Sequence, residues 1–310
     1  MLETFVPQST PADIAARVEP TLLLMHRWGY VPTVESLAAG LKGGGVPADD
    51  LLAAISESDR VRADRGFVYL LSHEHLVEAS RRRVASNRAL NGNARAVAKR
   101  FARELVRSCP YVECVALSGS LASGGFRRGD DIDFDLFVQD GTKYTSYLVA
   151  TLLGLRYAWR YRKAPVDDLL RTPLVPKVTC INVVWSADQV RPFRRQDEGL
   201  AFELSRCEPL FGEERFRTVL QENRWVFDHF PQLEGRVGSA ERMPPPNGLG
   251  SFVLALGKHP RAQRVMERLS RALAWVLYSF VQWMRKGDPE AAARMEFLRR
   301  VKYPYEVFQD

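Results

Sequence analysis

Three aspartates at alternate positions, Asp131, Asp133 and Asp135, are the residues whose type and spacing best suit chemistry. They lie in the otherwise apolar run 131–138, DIDFDLFV, which is typical of a β-strand. Because strand side chains alternate between faces, the three carboxylates share one face and the apolar side chains share the other. Like charges this close are costly to desolvate, and a divalent cation would compensate them through oxygen ligands. A solvated edge strand is the alternative explanation.

A turn of small residues precedes this strand. It consists of Ser118, Gly119 and Ser120, which follow a short apolar run. The stretch 117–138 reads LSGSLASGGFRRGDDIDFDLFV. A Gly-Ser turn followed by an Asp-hydrophobic-Asp strand resembles the signature of the DNA polymerase beta-like nucleotidyltransferase superfamily. The resemblance implies an α+β fold with a mixed sheet and flanking helices, in which the turn opens a helix that holds nucleotide phosphates.

The resemblance also implies that the aspartates are catalytic residues and ligands of Mg²⁺ (or Mn²⁺). Asp131 and Asp133 would be the bridging ligands, and Asp135 a third ligand or a base. The register stays open, because Asp133 and Asp135 would serve equally as the catalytic pair. The superfamily usually carries a further metal-binding Asp on a later strand, for which 177–186 is the equivalent here. That run contains no carboxylate, and Asn182 is the nearest substitute.

On the nucleotide side, the resemblance makes Ser118, Gly119 and Ser120 binding residues for a triphosphate. Glycine suits this role because it lets a phosphate approach the backbone closely. Arg127 and Arg128, on the loop between turn and strand, either steady the phosphate charge or belong to a solvated loop.

The elements before the turn indicate a separate N-terminal unit. Residues 12–72 predict three helices and a hairpin around the Asp-Arg-Gly at 64–66, which resembles a winged helix-turn-helix domain. Such domains often bind DNA, yet the third helix, PADDLLAAISESD, is acidic, so a docking or scaffold role competes with DNA contact. A long helical region over 74–108, with a break near 91–93, carries the arginines of 81–107. These either approach nucleic acid or form a solvated face.

The predicted domain organisation has four parts. They are a winged helix-turn-helix-like domain over 1–73, a nucleotidyltransferase domain with its preceding basic helix over 74–232, a linker over 233–250 and a C-terminal helical segment over 251–310. Within the second part, 192–230 is predicted to be helical with a Pro-Leu-Phe-Gly turn, and resembles segments of bacterial nucleotidyltransferase-domain proteins.

Composition bounds the remaining possibilities. The chain of 310 residues has 44 Lys and Arg against 37 Asp and Glu, a net charge of +7 and an isoelectric point of about 9.3. This balance suits phosphate-bearing ligands or nucleic acid as partners. The four cysteines lack the spacing of a zinc site and are predicted to be free thiols in a reducing cytoplasm. The apolar stretches are shorter than the roughly 20 residues of a membrane span, so no transmembrane segment is predicted.

The resemblance therefore implies an enzyme, a Mg²⁺-dependent nucleotidyltransferase. It would transfer a nucleoside monophosphate from an NTP to a hydroxyl acceptor on a protein, a small molecule or an RNA end. The alternative is a winged-helix regulator or scaffold whose nucleotidyltransferase domain senses a nucleotide and is catalytically weak or dead.

Overall fold

The computed structural model of the chain describes residues 10–127, 130–161, 178–236, 238, 240–284, 287, 289, 293 and 296. Its α-helices are α1 (Pro11–Arg27), α2 (Val34–Ala39), α3 (Ala48–Ile55), α4 (Val77–Ser108), α5 (Gly119–Ala122), α6 (Lys143–Tyr161), α7 (Glu198–Arg206), α8 (Glu213–Glu222), α9 (Trp225–His229), α10 (Gly248–Gly257) and α11 (Pro260–Met284). Its strands are β1 (Val61–Asp64), β2 (Phe67–Leu70), β3 (Val112–Leu117), β4 (Ile132–Val138), β5 (Thr179–Ser186) and β6 (Glu208–Phe211).

These elements form two compact units. The first comprises the described residues of Met1–Ala85, Arg195–Ser205 and Arg224–Arg236; the second comprises those of Ser86–Arg194, Arg206–Asn223 and Val237–Asp310. Three N-terminal helices and a hairpin occur in the first unit, as predicted. The fold class is α+β, with a mixed four-stranded sheet and flanking helices in the second.

The first unit is built on α1 and the β1–β2 hairpin. A capping box starts α1, in which the Thr10 hydroxyl accepts from the Asp13 backbone N–H and the Asp13 carboxylate accepts from that of Thr10. The apolar stripe of α1 is buried: Ile14, Val18, Leu22 and Met25. Arg65 and Gly66 both have positive φ, as a two-residue hairpin turn requires. Contact of this unit with DNA stays a prediction.

The sheet of the second unit has the strand order β5-β4-β3-β6. Strand β4 pairs antiparallel with β3 and parallel with β5, and β3 pairs antiparallel with β6. The predicted strand over 131–138 is confirmed, starting at Ile132. Ile132, Phe134 and Leu136 belong to the apolar core, so the alternating aspartates of β4 lie on the opposite face.

Helices α4 and α6 cover the apolar face of this sheet. The Phe101 ring of α4 stacks on Phe134 with centroids 4.9 Å apart, and meets Tyr157 of α6 edge-on at 5.3 Å. These contacts fix the position of β4 between its neighbours. The Asp133 and Asp135 side chains lie on the other face of the sheet, away from this packing.

Two predictions about elements are wrong. Helix α4 runs unbroken through 91–93, because Ala94 and Val97 are buried against the sheet and this packing overrides the weak helix propensity of Asn and Gly. The predicted helix-and-turn region over 192–230 contains strand β6, whose Pro209 is tolerated because β6 lies at the edge of the sheet.

Helices α10 and α11 follow in the second unit. The helix predicted over 260–284 is confirmed as α11, whereas most of the helix predicted over 289–301 lies outside the described residues. No helix among the described residues combines the length and apolarity needed to cross a bilayer.

Candidate metal and nucleotide site

The turn at 118–120 lies directly against β4. The Ser118 backbone N–H donates to the Asp133 carbonyl at 3.0 Å. Gly119 has φ +63°, and a Cβ built on it would overlap the Asp133 carboxylate. A glycine is needed here on both counts, since an L side chain is strained at this φ and has no room. The turn and the strand singled out in the sequence are therefore in contact.

Asp131 and Asp133 form a group with Cys180. One ligand atom from each of the three lies within 4.8 Å of the others. Asp131 is 9% and Asp133 7% exposed, and Cys180 is partly exposed. Cys180 is the register partner of Asp133 on the parallel strand β5, which explains the approach. The three side chains offer two carboxylates and a thiol to one point in space.

Asp135 has a different environment from the other two aspartates. It is 2% exposed, and both of its oxygens accept hydrogen bonds, from the Ser118 hydroxyl at 3.0 Å and from the Cys207 thiol at 3.4 Å. Burial raises the pKa of Asp135 to about 6, although these two bonds stabilise the carboxylate. Its predicted role in metal binding stays a prediction, and its contacts suit holding the turn in place.

Asn182 reaches the same network through a β-bulge. Phe134 is opposite Ile181 and Asp135 opposite Val183, which leaves Asn182 as the extra residue of β5. Its amide Nδ2 donates to the Ser118 hydroxyl at 3.3 Å, and its Oδ1 accepts from the Cys180 thiol at 3.3 Å.

The bulge changes which side chains of β5 face the core. Simple alternation would put residues 182 and 184 on one face, but the inserted residue turns Val184 into the apolar core. A continuous chain of hydrogen bonds lies next to Asp131 and Asp133. It joins Cys180, Asn182, Ser118, Asp135 and Cys207.

The other residues predicted to contact the nucleotide differ in how available they are for binding. Helix α5, expected to present its N-terminus to phosphate, has only four residues, so it offers backbone N–H groups more than a macrodipole. Ser120, its second residue, is partly exposed. Arg127 forms an ion pair with Asp130 of the same loop at 3.0 Å. Arg128 lies outside the described residues.

Several basic residues of α4 form ion pairs with acids of their own unit. Arg81 pairs with Asp64 at 2.9 Å and Arg95 with Glu208 at 2.5 Å. Arg103 pairs with Glu241. A nucleic acid would have to compete with these carboxylates, so the helix is a weaker candidate for phosphate binding than its composition indicates.

Asp131 and Asp133 are suitable ligands for Mg²⁺, whereas the Cys180 thiol is not. Mg²⁺ is usually held by one or two carboxylates, with water and substrate phosphates completing an oxygen shell. Asp131 and Asp133 meet that description. A thiolate is a soft ligand suited to other metals, and the Cys180 thiol donates a hydrogen bond to Asn182 Oδ1.

Two functional candidates, Cys180 and Cys207, were missed by the sequence reasoning. Their spacing suits no zinc site, so the sequence pattern alone predicts no role for either thiol. Cys180 had a usable signal, since it precedes Asn182 by two positions on the strand expected to bring the third ligand. Cys207 had none, because its contact with Asp135 depends on how the distant strand β6 enters the sheet.

Comparisons with family models, with curated proteins and with solved structures give no match to this chain. The geometry of the site and the resemblance of its motif are therefore the basis for assigning a function.

Proposed function

We propose that the chain is a Mg²⁺-dependent nucleotidyltransferase that transfers a nucleoside monophosphate from an NTP to a hydroxyl acceptor. The observation that carries the proposal is the contact of the Gly119 turn with the Asp133 carboxylate. A backbone open to phosphate thus lies beside two carboxylates suited to a divalent cation. The proposal includes a polymerase-beta-like arrangement of β3–β6, and a winged-helix-like arrangement of α1–α3 with the hairpin.

Each residue has a defined role in this proposal. Asp131 and Asp133 hold Mg²⁺, which when bound neutralises triphosphate charge and favours in-line attack at the α-phosphate. The backbone of Gly119 and the hydroxyl of Ser120 contact the phosphates. Asp135 is a positioning residue, because its carboxylate orients the Ser118 hydroxyl and so fixes the start of the turn.

Nucleotide binding is the first test, because it needs no knowledge of the acceptor. We expect ATP, CTP, GTP or UTP to bind in calorimetric titration, and Mg²⁺ to tighten that binding. The double variant Asp131→Asn, Asp133→Asn should lose the Mg²⁺-dependent part. Glu214→Gln, an exposed carboxylate on α8, is the matched control and should bind as the parent does. Equal binding by both variants would place the metal elsewhere.

Transfer is the second test. The chain is incubated with α-labelled NTPs and Mg²⁺, alone and with panels of protein, RNA and amino-sugar acceptors. We expect label on one acceptor class, reduced on the order of 100-fold by the double aspartate variant. Label transfer that survives this variant refutes the assigned site.

A nucleotide sensor without transfer activity is the second candidate. It is favoured by one observation: the third potential ligand beside Asp131 and Asp133 is the Cys180 thiol, in place of the expected carboxylate. A sensor would bind NTP with Mg²⁺ and fail to label any acceptor. Restoring a carboxylate with Cys180→Asp then distinguishes the two, since a gain of transfer would show that only the ligand was lacking.

A further inference from the structure

Helix α11 presents apolar side chains to solvent along most of its length. Leu269, Val276 and Trp283 recur every seven residues and are 66%, 60% and 68% exposed. At about 100° per residue they fall on one line along the helix. Three more exposed apolar side chains complete what we call the α11 stripe: Val265, Leu273 and Phe280.

The opposite side of α11 is fixed to α6. The Glu267 carboxylate accepts from the backbone N–H groups of Tyr144 and Thr145, at 2.6 and 2.9 Å, in the first turn of α6. Ser270 and Ala274 on the same side are buried. This anchoring holds the α11 stripe outward, so its exposure follows from how the helix is attached.

The charges of α11 are almost all positive. Three arginines lie on one flank of the stripe by helical spacing: Arg261, Arg264 and Arg268. A fourth on that flank, Arg271, lies over the Tyr144 ring of α6 at 5.1 Å from its centroid. The one acid of the helix, Glu267, is bound to α6. A partner for this surface must therefore offer an apolar layer with negative charge at its border.

We propose that α11 binds an anionic phospholipid surface. The helix lies in the plane of the membrane interface, with the stripe among the upper acyl chains and the arginines at the headgroup phosphates. A strongly amphipathic helix with Trp, Phe and Leu on one side and arginines beside them is typical of such binding. Trp275, which is exposed and lies on the arginine flank by helical spacing, suits the headgroup level. This proposal is independent of nucleotidyl transfer.

A second copy of the chain is the competing occupant. The spacing from Leu269 to Trp283 alternates four and three residues, as in a coiled-coil seam. Charge argues against it, because α11 of a second copy would bring its own arginines and no available carboxylate. Anionic lipid satisfies both the stripe and its basic flank.

The test is flotation of the full chain with vesicles of phosphatidylcholine, with and without phosphatidylglycerol. We expect binding only to the vesicles with phosphatidylglycerol, weakened by high salt. Val276→Glu should reduce it about tenfold or more, since an apolar contact is replaced by a charge repelled by the surface. Arg264→Gln with Arg268→Gln should reduce the preference for anionic lipid.

The control is Leu23→Glu, which places the same charge at an exposed apolar position of α1 and should leave flotation unchanged. All these positions are exposed, so the unfolding midpoints should stay close to that of the parent. Failure to float with either vesicle overturns the proposal. So does a dimer in sedimentation that Val276→Glu converts to monomer, or binding that appears only after removal of residues 285–310.

Discussion

The residue at position 119 meets two requirements at once, a left-handed backbone and the absence of a Cβ beside Asp133. We expect Gly119→Ala to lower the free energy of unfolding by roughly 2–4 kcal/mol and to weaken NTP binding, because both the φ and the contact become unfavourable. Gly124→Ala is the matched control. Gly124 also has positive φ, +76°, but a Cβ there meets nothing within 4 Å.

Urea unfolding of the two variants separates the backbone cost from the contact cost. Gly124→Ala should lose only the backbone cost, about 1–2 kcal/mol. Equal losses in the two variants would show that Asp133 moves aside without penalty, and would remove the main support for the site.

At this scale the sequence predicted the residue types and missed some of their contacts. Alternation along β4 was sufficient to place Asp133 and Asp135 on one face. It could not show that Asp135 is enclosed by Ser118 and Cys207, because that depends on a bond between residues 72 positions apart. Nor could it show the bulge at Asn182, because a bulge depends on how two strands pair and cannot be seen in the sequence of either strand alone.

At the scale of elements, His26 connects α1 with the hairpin of the first unit. Its Nε2 accepts the Leu70 backbone N–H at 3.2 Å, so its Nδ1 carries the proton donated to the Tyr30 carbonyl at 3.0 Å. The pKa of His26 is lowered from 6.5 to about 4, chiefly by burial; the bond to Tyr30 opposes this shift, and nearby His73 and His75 add to it. Protonation of Nε2 would break the bond to β2.

The pH dependence follows from that direction. A histidine whose folded pKa is depressed stabilises the fold fully above its unfolded pKa of 6.5. We expect the unfolding free energy to fall by roughly 1–3 kcal/mol between pH 6.5 and pH 4 through this group. Urea unfolding of His26→Gln should lack that contribution, whereas His75→Gln, an exposed neighbour, should keep it. Parallel curves for the parent and His26→Gln would contradict the assignment.

Glu267 caps α6 from another helix, so a single side chain stabilises two elements. It accepts from two backbone N–H groups and from the Thr145 hydroxyl at 2.7 Å. We expect Glu267→Ala to cost about 1–2 kcal/mol, because two N-terminal donors of α6 lose their acceptor. Thermal unfolding measures this, with Glu214→Ala on the exposed face of α8 as control. A shift no larger than the control's would mean that water replaces the cap.

Elements with strong local signals were predictable and those defined by pairing were not. The hairpin at 61–70 and the helices of the first unit follow from turn residues and apolar periodicity. Strand β6 is four residues long and contains proline, so only its pairing with β3 makes it a strand.

At the scale of the whole molecule, the first unit is assembled from three separate parts of the sequence. Lys42 forms an ion pair with Glu198 at 2.5 Å, and the Gly43 backbone N–H donates to the His229 carbonyl at 2.7 Å. The boundary near residue 73 is predicted from the three helices and the hairpin that precede it. That pattern could not reveal these contacts, because they join positions far apart in sequence. That domain boundary stays a prediction.

A fragment of residues 1–85 tests the dependence directly. We expect it to unfold at lower urea concentration than the full chain, with poorly dispersed amide resonances, because the contacts to 195–205 and 224–236 are missing. Adding a peptide of residues 195–236 should partly restore the dispersion. If the fragment is as stable as the full chain, residues 1–85 fold independently and the segments 195–205 and 224–236 do not contribute to their stability.

The four thiols of the chain differ in access, and this gives the site a chemical reporter. Cys109, Cys114 and Cys207 are buried, and burial raises the pKa of Cys109 to about 11, whereas Cys180 is partly exposed. Iodoacetamide should therefore alkylate Cys180 first, leaving a single adduct that Cys180→Ser abolishes. Since Cys180 lies beside Asp131 and Asp133, NTP with Mg²⁺ should slow that adduct. Its rate of formation would then report which nucleotide occupies the native chain before any acceptor is known.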